Sequence, residues 1–336
     1  MKKKFEKISI ETNNTKVEIK INDGIQIPQT LYKYYDLTHY SINSFENSTV
    51  HFGHSYLMND LLDGNFILWD FDSFLNSYMS EMKRPIEYKE FYRLSLLKQL
   101  SGPFLQFIGY FCLCENYKND LLWAHYTSEK GYCIEFDTQL LFKDFSAYQT
   151  YFYPINYELK TIDFEKNIIK TETDSGYHVD ANIPLFYAVA NKEKFWSYEQ
   201  EWRIVMRNES FTSITHPTEI ISQEENKSEK KQLKSRDINI SKGSVSKIIL
   251  STLFFNNDRF NKFMYDKNIV TLNFANNEKK ELLLRFLNIL KKDFSDRIYQ
   301  VEKYMENGKV IRDIRFKIEI LKVTDHTLEI IKQPIL

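Results

Sequence analysis

Alternating apolar and polar residues mark both ends of the chain. Near the start, residues 8–10 and 17–21 place isoleucine or valine at every second position, on either side of Asn13-Asn14. Successive side chains of a strand point to opposite faces, so this pattern predicts a hairpin of half-buried strands. The same alternation returns at residues 314–320 and 328–331 and predicts strands there.

Between these ends, short apolar runs alternate with segments of helical spacing. Strands are predicted at residues 31–35, 49–54, 107–114, 131–137, 148–157, 198–206 and 247–250. Helices are predicted at 70–82, at 87–100 (closed by Gly102-Pro103), from 184 to 190, after a cap at residues 256–258, and from 278 to 305. This order predicts an α+β fold with mixed or antiparallel sheets flanked by helices.

The pattern also suggests how the chain is organised. Residues 1–29 form the predicted hairpin, residues 30–275 form a central α+β domain, and residues 276–336 return to pack with the N-terminus. Within the central domain, Gln223–Arg236 is almost wholly polar and mixed in charge. That composition predicts a solvated, mobile loop that a protease cuts first.

Composition narrows the class of protein. With 43% hydrophobic and 27% charged residues, the 336-residue chain is globular rather than disordered. A net charge of −1 gives no overall attraction for nucleic acid or an anionic membrane. No stretch reaches roughly 18 unbroken apolar residues, and three cysteines favour a reducing compartment over a disulfide framework. We therefore expect a cytoplasmic protein.

The strand predicted around residues 198–206 carries the most informative polar residues. Alternation places Glu199, Glu201 and Arg203 on one face and Trp202 and Ile204 on the other, against the core. The polar face is expected at the exposed lip of a sheet, where Glu201→Gln would barely change folding. The alternative is a surface ladder with a local Glu–Arg pair.

Two further clusters are candidates. Trp123, His125 and Tyr126 fall together just before the strand predicted at 131, where histidine could move protons and the rings could stack a flat ligand. The alternative is a half-buried histidine beside core aromatics. The polar pair Asn59-Asp60 is the third candidate, although such pairs are common in ordinary turns.

Metal binding is not expected. Cys112, Cys114, His125 and Cys133 lie in one region, but their spacing is wrong for a zinc knuckle. The chain also has no phosphate-cradling glycine loop, no G-x-S-x-G and no H-E-x-x-H motif. These absences disfavour P-loop nucleotide hydrolases, the corresponding serine hydrolases and common metalloproteases.

Several short motifs, taken in order, resemble a bacterial family described as domain of unknown function 2971. The resemblance spans roughly residues 30–255, and one turn that often reads Asn-Asp-Pro in the family has Leu61 in place of proline. The motifs are Leu31-Tyr-Lys-Tyr, Met58-Asn-Asp, Cys112-Leu-Cys-Glu, Trp123-Ala-His-Tyr with Gly131 and Phe136-Asp137, and Tyr198-Glu-Gln-Glu-Trp-Arg-Ile-Val. Members of that family often accompany bacterial defence systems or mobile elements.

More distantly, Glu199-Gln-Glu201 is similar to the E-x-E element of ADP-ribosyltransferases. Those enzymes place it in a split mixed sheet, with an arginine or histidine on an early strand and a Ser-Thr or Tyr element on a middle strand. The corresponding positions here are Lys33 or Tyr34 and Tyr126–Ser128. Lys33 departs from that pattern.

This resemblance implies a core like that of an ADP-ribosyltransferase, with NAD as its substrate. Glu201 would stabilise the cation that develops on the ribose, and Glu199 would orient or deprotonate a protein or nucleic-acid acceptor. The residues implied in binding NAD are Lys33, Tyr34, Asn59, Asp60, Trp123, Tyr126 and Arg203.

Two alternatives remain open at this point. One is a non-catalytic module that binds a nucleotide or a partner in the same cleft. The other is a metal-independent nuclease with His125 as its base, which the absence of a basic patch disfavours.

Overall fold

The computed structural model describes residues 1–335 apart from 14–15, 61, 175, 212–235, 257 and 267. The chain divides into two compact units. The first comprises Met1–Ile27, His51–Cys112 and Tyr148–Asp237, and the second comprises Pro28–Val50, Leu113–Ala147 and Ile238–Leu336. The loop predicted at Gln223–Arg236 lies outside the described residues, Arg236 excepted.

The elements alternate irregularly between helix and strand, as an α+β fold requires. The α-helices are α1 (His39–Glu46), α2 (Asp72–Glu81), α3 (Lys89–Phe107), α4 (Asp120–Thr127), α5 (Thr138–Asp144), α6 (Asn182–Val189) and α7 (Lys280–Asp293). The first ten strands are β1 (Lys2–Lys4), β2 (Ile8–Thr12), β3 (Val17–Ile21), β4 (Thr30–Tyr35), β5 (Thr49–His51), β6 (Trp69–Asp70), β7 (Ile108–Cys114), β8 (Tyr132–Asp137), β9 (Gln149–Pro154) and β10 (Ile162–Asp163). The others are β11 (Ile169–Thr173), β12 (Gly176–Asp180), β13 (Glu201–Arg207), β14 (Asp237–Asn239), β15 (Val245–Leu250), β16 (Phe260–Asp266), β17 (Ile269–Phe274), β18 (Ile298–Glu306), β19 (Lys309–Val323) and β20 (Thr327–Pro334).

The first unit begins with the predicted hairpin. β2 pairs antiparallel with β3, and β1 adds to the other edge of β2. Ile8 and Ile10 are fully buried on β2 and join the main core of this unit. The hairpin predicted from the alternation at residues 8–21 is therefore confirmed.

Strand β13 is the structural centre of the first unit. It lies between β7 and β9 and pairs antiparallel with β9. Trp202 and Ile204 are buried on one face, where Trp202 stacks on Phe152 at a centroid distance of 4.8 Å. Val205, on the opposite face, is also fully buried. The predicted core positions are confirmed, but both faces of the strand are covered.

The second unit is built on a mixed sheet in the order β16-β17-β20-β19-β18-β15-β8-β4. β15 and β18 are parallel, whereas the other adjacent pairs in this order are antiparallel. The predicted apolar stripe of α7 is buried, and Phe286 packs against Phe45 and Tyr132. The expected α+β class with mixed sheets is thus confirmed.

Three predicted elements differ from the structure. Helix α3 continues through Gly102-Pro103 to Phe107, because burial of Leu105 and the edge contact of Phe104 with Phe186 outweigh one lost backbone hydrogen bond. The helix predicted after residues 256–258 is instead the hairpin of β16 and β17.

The third difference is the helix predicted from residue 278 to 305, which ends at Asp293. Residues 298–306 pair with β15 and β19 instead. β15 is distant in sequence, and local spacing does not reveal such a partner.

The described residues contain no helix that is both long and apolar enough to cross a membrane. The division of the chain at residues 29 and 275 stays a prediction.

Burial of the indole at residue 202 predicts a large loss on truncation. Trp202→Ala should lower the free energy of unfolding by about 3–5 kcal/mol, because it removes apolar contact and leaves a cavity. The measurement is denaturant unfolding. Phe91→Ala removes an exposed aromatic ring in the same unit and should change stability by no more than about 0.5 kcal/mol. Equal losses in the two variants would contradict the packing described here.

Candidate functional site

Arg203 is a fully buried guanidinium whose nitrogens are all engaged. Its Nη1 and Nη2 donate to the two carboxylate oxygens of Asp63 at 2.7 and 2.8 Å. Its Nε donates to Oε1 of Glu201 at 2.9 Å, and Nη1 also donates to the carbonyl oxygen of Val189 at 2.8 Å. The implied role of Arg203 in binding NAD stays a prediction, and in this structure its donors already hold protein groups.

Lys192 is the second cation of the same cluster. Its Nζ lies 2.6 Å from Oε2 of Glu201, 2.9 Å from Oε2 of Glu199 and 3.8 Å from Oδ2 of Asp63. Burial lowers the pKa of Lys192, but the carboxylates of Glu201 and Asp63 outweigh burial and raise that pKa above its ordinary value. The ammonium group therefore stays charged.

Glu201 lies between the two cations. Burial raises its pKa, but Arg203 and Lys192 together lower that pKa to about 2. The backbone N–H of Glu201 also donates to the hydroxyl oxygen of Tyr157 at 2.7 Å, which fixes the start of β13. The carboxylate is ionised, rigidly held and already neutralised.

A polar turn positions Asp63. Its backbone N–H donates to the carbonyl oxygen of Asp60, whose side chain accepts from the backbone two residues further on. The next residue, Gly64, has φ +68°, and a Cβ there would lie 2.8 Å from Cβ of Ser55. Glycine is required at this position, so the sequence Asp63-Gly64 delivers the carboxylate to Arg203.

The predicted exposed lip of carboxylates is wrong. Glu199 is 5% exposed and Glu201 3% exposed. Only Glu201 belongs to β13. Glu199 ends the short 3₁₀ helix Lys194–Glu199, and Gln200 between them has φ +44°. Alternation predicted a solvent-facing side, but the packing of the first unit covers both faces of the strand.

The second predicted cluster lies on α4, which Asn119 caps. Trp123 is fully buried, its indole N–H donates to the carbonyl oxygen of Tyr117 at 2.7 Å, and its ring meets the edge of Tyr34 at 4.9 Å. His125 and Tyr126 are exposed, so the expected half-buried histidine is wrong. Trp123 is a core residue of the second unit and has no face open to a ligand.

The remaining predicted site residues are spread over both units. In the first unit, Asn59 is exposed and Asp60 is buried in its turn. In the second unit, Tyr34 is buried, with its hydroxyl donating to the carbonyl oxygen of Asn116, and Lys33 is partly exposed. The implied role of these residues in binding NAD stays a prediction.

The structure thus brings together Glu199, Glu201 and Arg203 and adds Asp63 and Lys192, which the pattern along the chain missed. Lys192 follows the apolar run of α6, and a lysine in such a buried segment needs an anionic partner. Asp63 stands directly before a glycine, which is a signal for a turn. Neither signal identifies the residue with which Lys192 or Asp63 pairs.

Beside this cluster, the short helix Lys194–Glu199 carries three aromatic residues, and we call it the aromatic segment. Phe195 is 62% exposed, and its ring lies 5.2 Å from that of Trp196, which lies 6.0 Å from that of Tyr198. The Nζ of Lys192 is 5.5 Å from the Trp196 ring centroid. Aromatic surface therefore lies directly over the buried charges.

A metal site and a ligand cavity are weaker candidates for the functional site than the charge network. Among the residues the structure describes, no group of three or more His, Cys, Asp or Glu side chains is arranged to hold a metal ion. A cavity of about 20 Å³ in the second unit, lined in part by Phe45, Tyr132 and Phe294, has room for about one water molecule. It is too small for a nucleotide.

Comparison with known proteins places part of the chain in a family context. Residues 122–204 match the model of a family described as a protein of unknown function, DUF2971. That range includes most of α4 and four of the five network residues, namely Lys192, Glu199, Glu201 and Arg203. Neither the curated proteins nor the solved structures gave a significant match. None of these comparisons supports the resemblance to ADP-ribosyltransferases.

The charge network predicts an order of stability losses. Arg203→Met leaves three buried carboxylates with one lysine and should cost about 3–5 kcal/mol of unfolding free energy. Glu201→Gln removes one charge-assisted partner and should cost about 1.5–3 kcal/mol, instead of the negligible loss expected for an exposed lip. Denaturant unfolding measures both. Arg207→Met, at the exposed end of β13, is the matched control and should cost no more than about 0.5 kcal/mol.

The lowered pKa of Glu201 predicts how this loss depends on pH. A carboxyl with a pKa of about 2 in the folded protein, against 4.5 ordinarily, contributes its full stabilisation above pH 4.5 and loses it as pH falls through about 2. The difference in unfolding free energy between wild type and Glu201→Gln should therefore shrink across that range. A difference that does not change with pH would contradict ionisation of Glu201 in the fold.

Proposed function

We propose that the protein is a non-catalytic module that binds a nucleotide on the aromatic segment. The observation that carries this proposal is the exposed Phe195 ring, held beside Trp196 next to a buried charge network. Exposed aromatic rings on an otherwise polar surface are typical of surfaces that stack flat ligands.

The ligand class follows from the groups beside the rings. A nucleobase offers a flat face to Phe195, and stacking of one base on an aromatic side chain contributes about 1–3 kcal/mol. Lys194 is exposed at the start of the same segment and can reach a phosphate group. Together, ring and ammonium group match the two ends of a nucleotide.

The state of Glu201 supports binding over catalysis. A carboxylate that stabilises a developing cation must face that cation. Glu201 is 3% exposed and lies against Arg203 and Lys192. An ADP-ribosyltransferase that cleaves NAD remains the second candidate on the strength of the Glu199-Gln-Glu201 motif alone, and it needs this carboxylate to become accessible.

Nucleotide binding can be measured through a single tryptophan. Trp69, Trp123 and Trp202 are buried, whereas Trp196 is partly exposed, so a ligand on the aromatic segment should change mainly the Trp196 fluorescence. ATP and NAD should each quench the wild type saturably. Phe195→Ala should weaken binding at least about fivefold, the loss of one stacked base. Phe91→Ala, the exposed-ring control, should bind like wild type.

Nicotinamide release from NAD by the same samples separates the two candidates. Saturable binding without release is the expected result. Release by wild type that is lost in a folded Glu201→Gln variant would establish the transferase instead. If neither ATP nor NAD binds saturably to the wild type or to Phe195→Ala, the proposal is overturned.

A further inference from the structure

The aromatic segment differs from the chain on either side of it. Residues 188–192 and 201–206 are buried, whereas Lys194, Phe195 and Ser197 are exposed. The segment is a 3₁₀ helix, which has poorer hydrogen-bond geometry than an α-helix and rarely extends far. A partly exposed 3₁₀ segment thus lies between two buried ones.

The backbone conformation at the end of the segment is unusual. Gln200 has φ +44° and ψ +50°, the left-handed region that a residue with a Cβ rarely adopts. Strain of this kind is retained where the surrounding structure holds it.

The Lys192–Glu199 ion pair, at 2.9 Å, holds the end of the segment against the rest of the first unit. Glu199 is also the surplus carboxylate of the network. With it, three carboxylates face two cations, for a net formal charge of −1. Without it, Asp63 and Glu201 match Lys192 and Arg203, and the buried charges sum to zero.

Moving Glu199 into water therefore leaves no unmatched charge inside the protein. Lys192 keeps Glu201 at 2.6 Å, and Arg203 keeps both Asp63 and Glu201. Removal of any other carboxylate or cation of the network would break a contact that this balance needs. Glu199 is therefore the member of the network that can leave while the other four keep their ion pairs.

We propose that the aromatic segment is a flap hinged at Gln200, and that Glu199 occupies on Lys192 the place of the ligand's phosphate group. In the closed flap, Glu199 is the internal anion of Lys192. When the flap opens, a phosphate takes that position while the base stacks on the aromatic rings. This inference rests on the proposed function for its ligand but not for the motion of the flap.

Flap opening can be tested without any ligand. Collisional quenching by acrylamide reports mainly Trp196, because the other three tryptophans are buried. Glu199→Gln weakens the closed state and should raise the quenching constant at least about twofold. Glu193→Gln, at the other end of the segment, is the matched control and should leave it unchanged. Circular dichroism verifies that each variant is folded.

The hinge provides a second variant that carries the test if Glu199→Gln does not fold. Gln200→Val places a β-branched residue where φ is positive, which disfavours the closed flap and should raise quenching as Glu199→Gln does. Gln200→Gly adopts this φ at no steric cost, so this variant should not raise the quenching constant.

Nucleotide titrations test the exchange of anions. Glu199→Gln should bind ATP at least about fivefold more tightly than wild type, because the competing carboxylate is gone, and should bind adenosine no better. Equal gains for ATP and adenosine would overturn the exchange of Glu199 for phosphate. Unchanged quenching in both Glu199→Gln and Gln200→Val would overturn the flap. If quenching rises but no nucleotide binds to any variant, the flap stands and the phosphate assignment fails, together with the proposed function.

Discussion

A guanidinium with no exposed surface constrains everything around it. Arg203 has lost its water, so each of its nitrogens must find a protein acceptor, and those acceptors come from the turn at Asp63, the end of α6 at Val189 and the start of β13 at Glu201. The turn at Asp63 is therefore held in one register with the much later segments at Val189 and Glu201. A shift of β13 by one residue would direct Arg203 to the face occupied by Trp202 and break its two-oxygen contact with Asp63.

Such a network contributes to specificity more than to net stability. The attraction between buried ions is largely offset by the loss of hydration, so apolar residues of similar volume can be as stable. What apolar residues lack is directionality. The two-oxygen contact of Asp63 with Arg203 has a single good geometry, and Gly64 beside it has no Cβ to clash with Ser55. Contacts between the surrounding aromatic side chains are not directional, whereas the ion pairs fit only one arrangement of the segments that carry them.

The predictable part of this fold was the part encoded in short-range periodicity. Ile8 and Ile10, the stripe of α7 and the burial of Trp202 all follow from spacing along a single element. The errors arise where a partner distant in sequence decides: β18 pairs with β15, and α3 passes through Pro103 because Phe104, which contacts Phe186, and Leu105 pack beyond it. For the site, alternation correctly grouped Glu201 with Arg203 but said nothing of Lys192 or of the layer that covers them.

Burial decides between two uses of the same residues. At an exposed sheet edge, Glu199-Gln-Glu201 could direct two carboxylates at a substrate. In this protein Gln200 takes a left-handed backbone conformation, so the two glutamates belong to different elements and differ in their partners. Glu201 is held by both cations, whereas Glu199 is held by Lys192 and ends the aromatic segment. In the proposed flap the two glutamates therefore take different roles: Glu201 stays paired with both cations, and Glu199 is the anion that the phosphate group would replace.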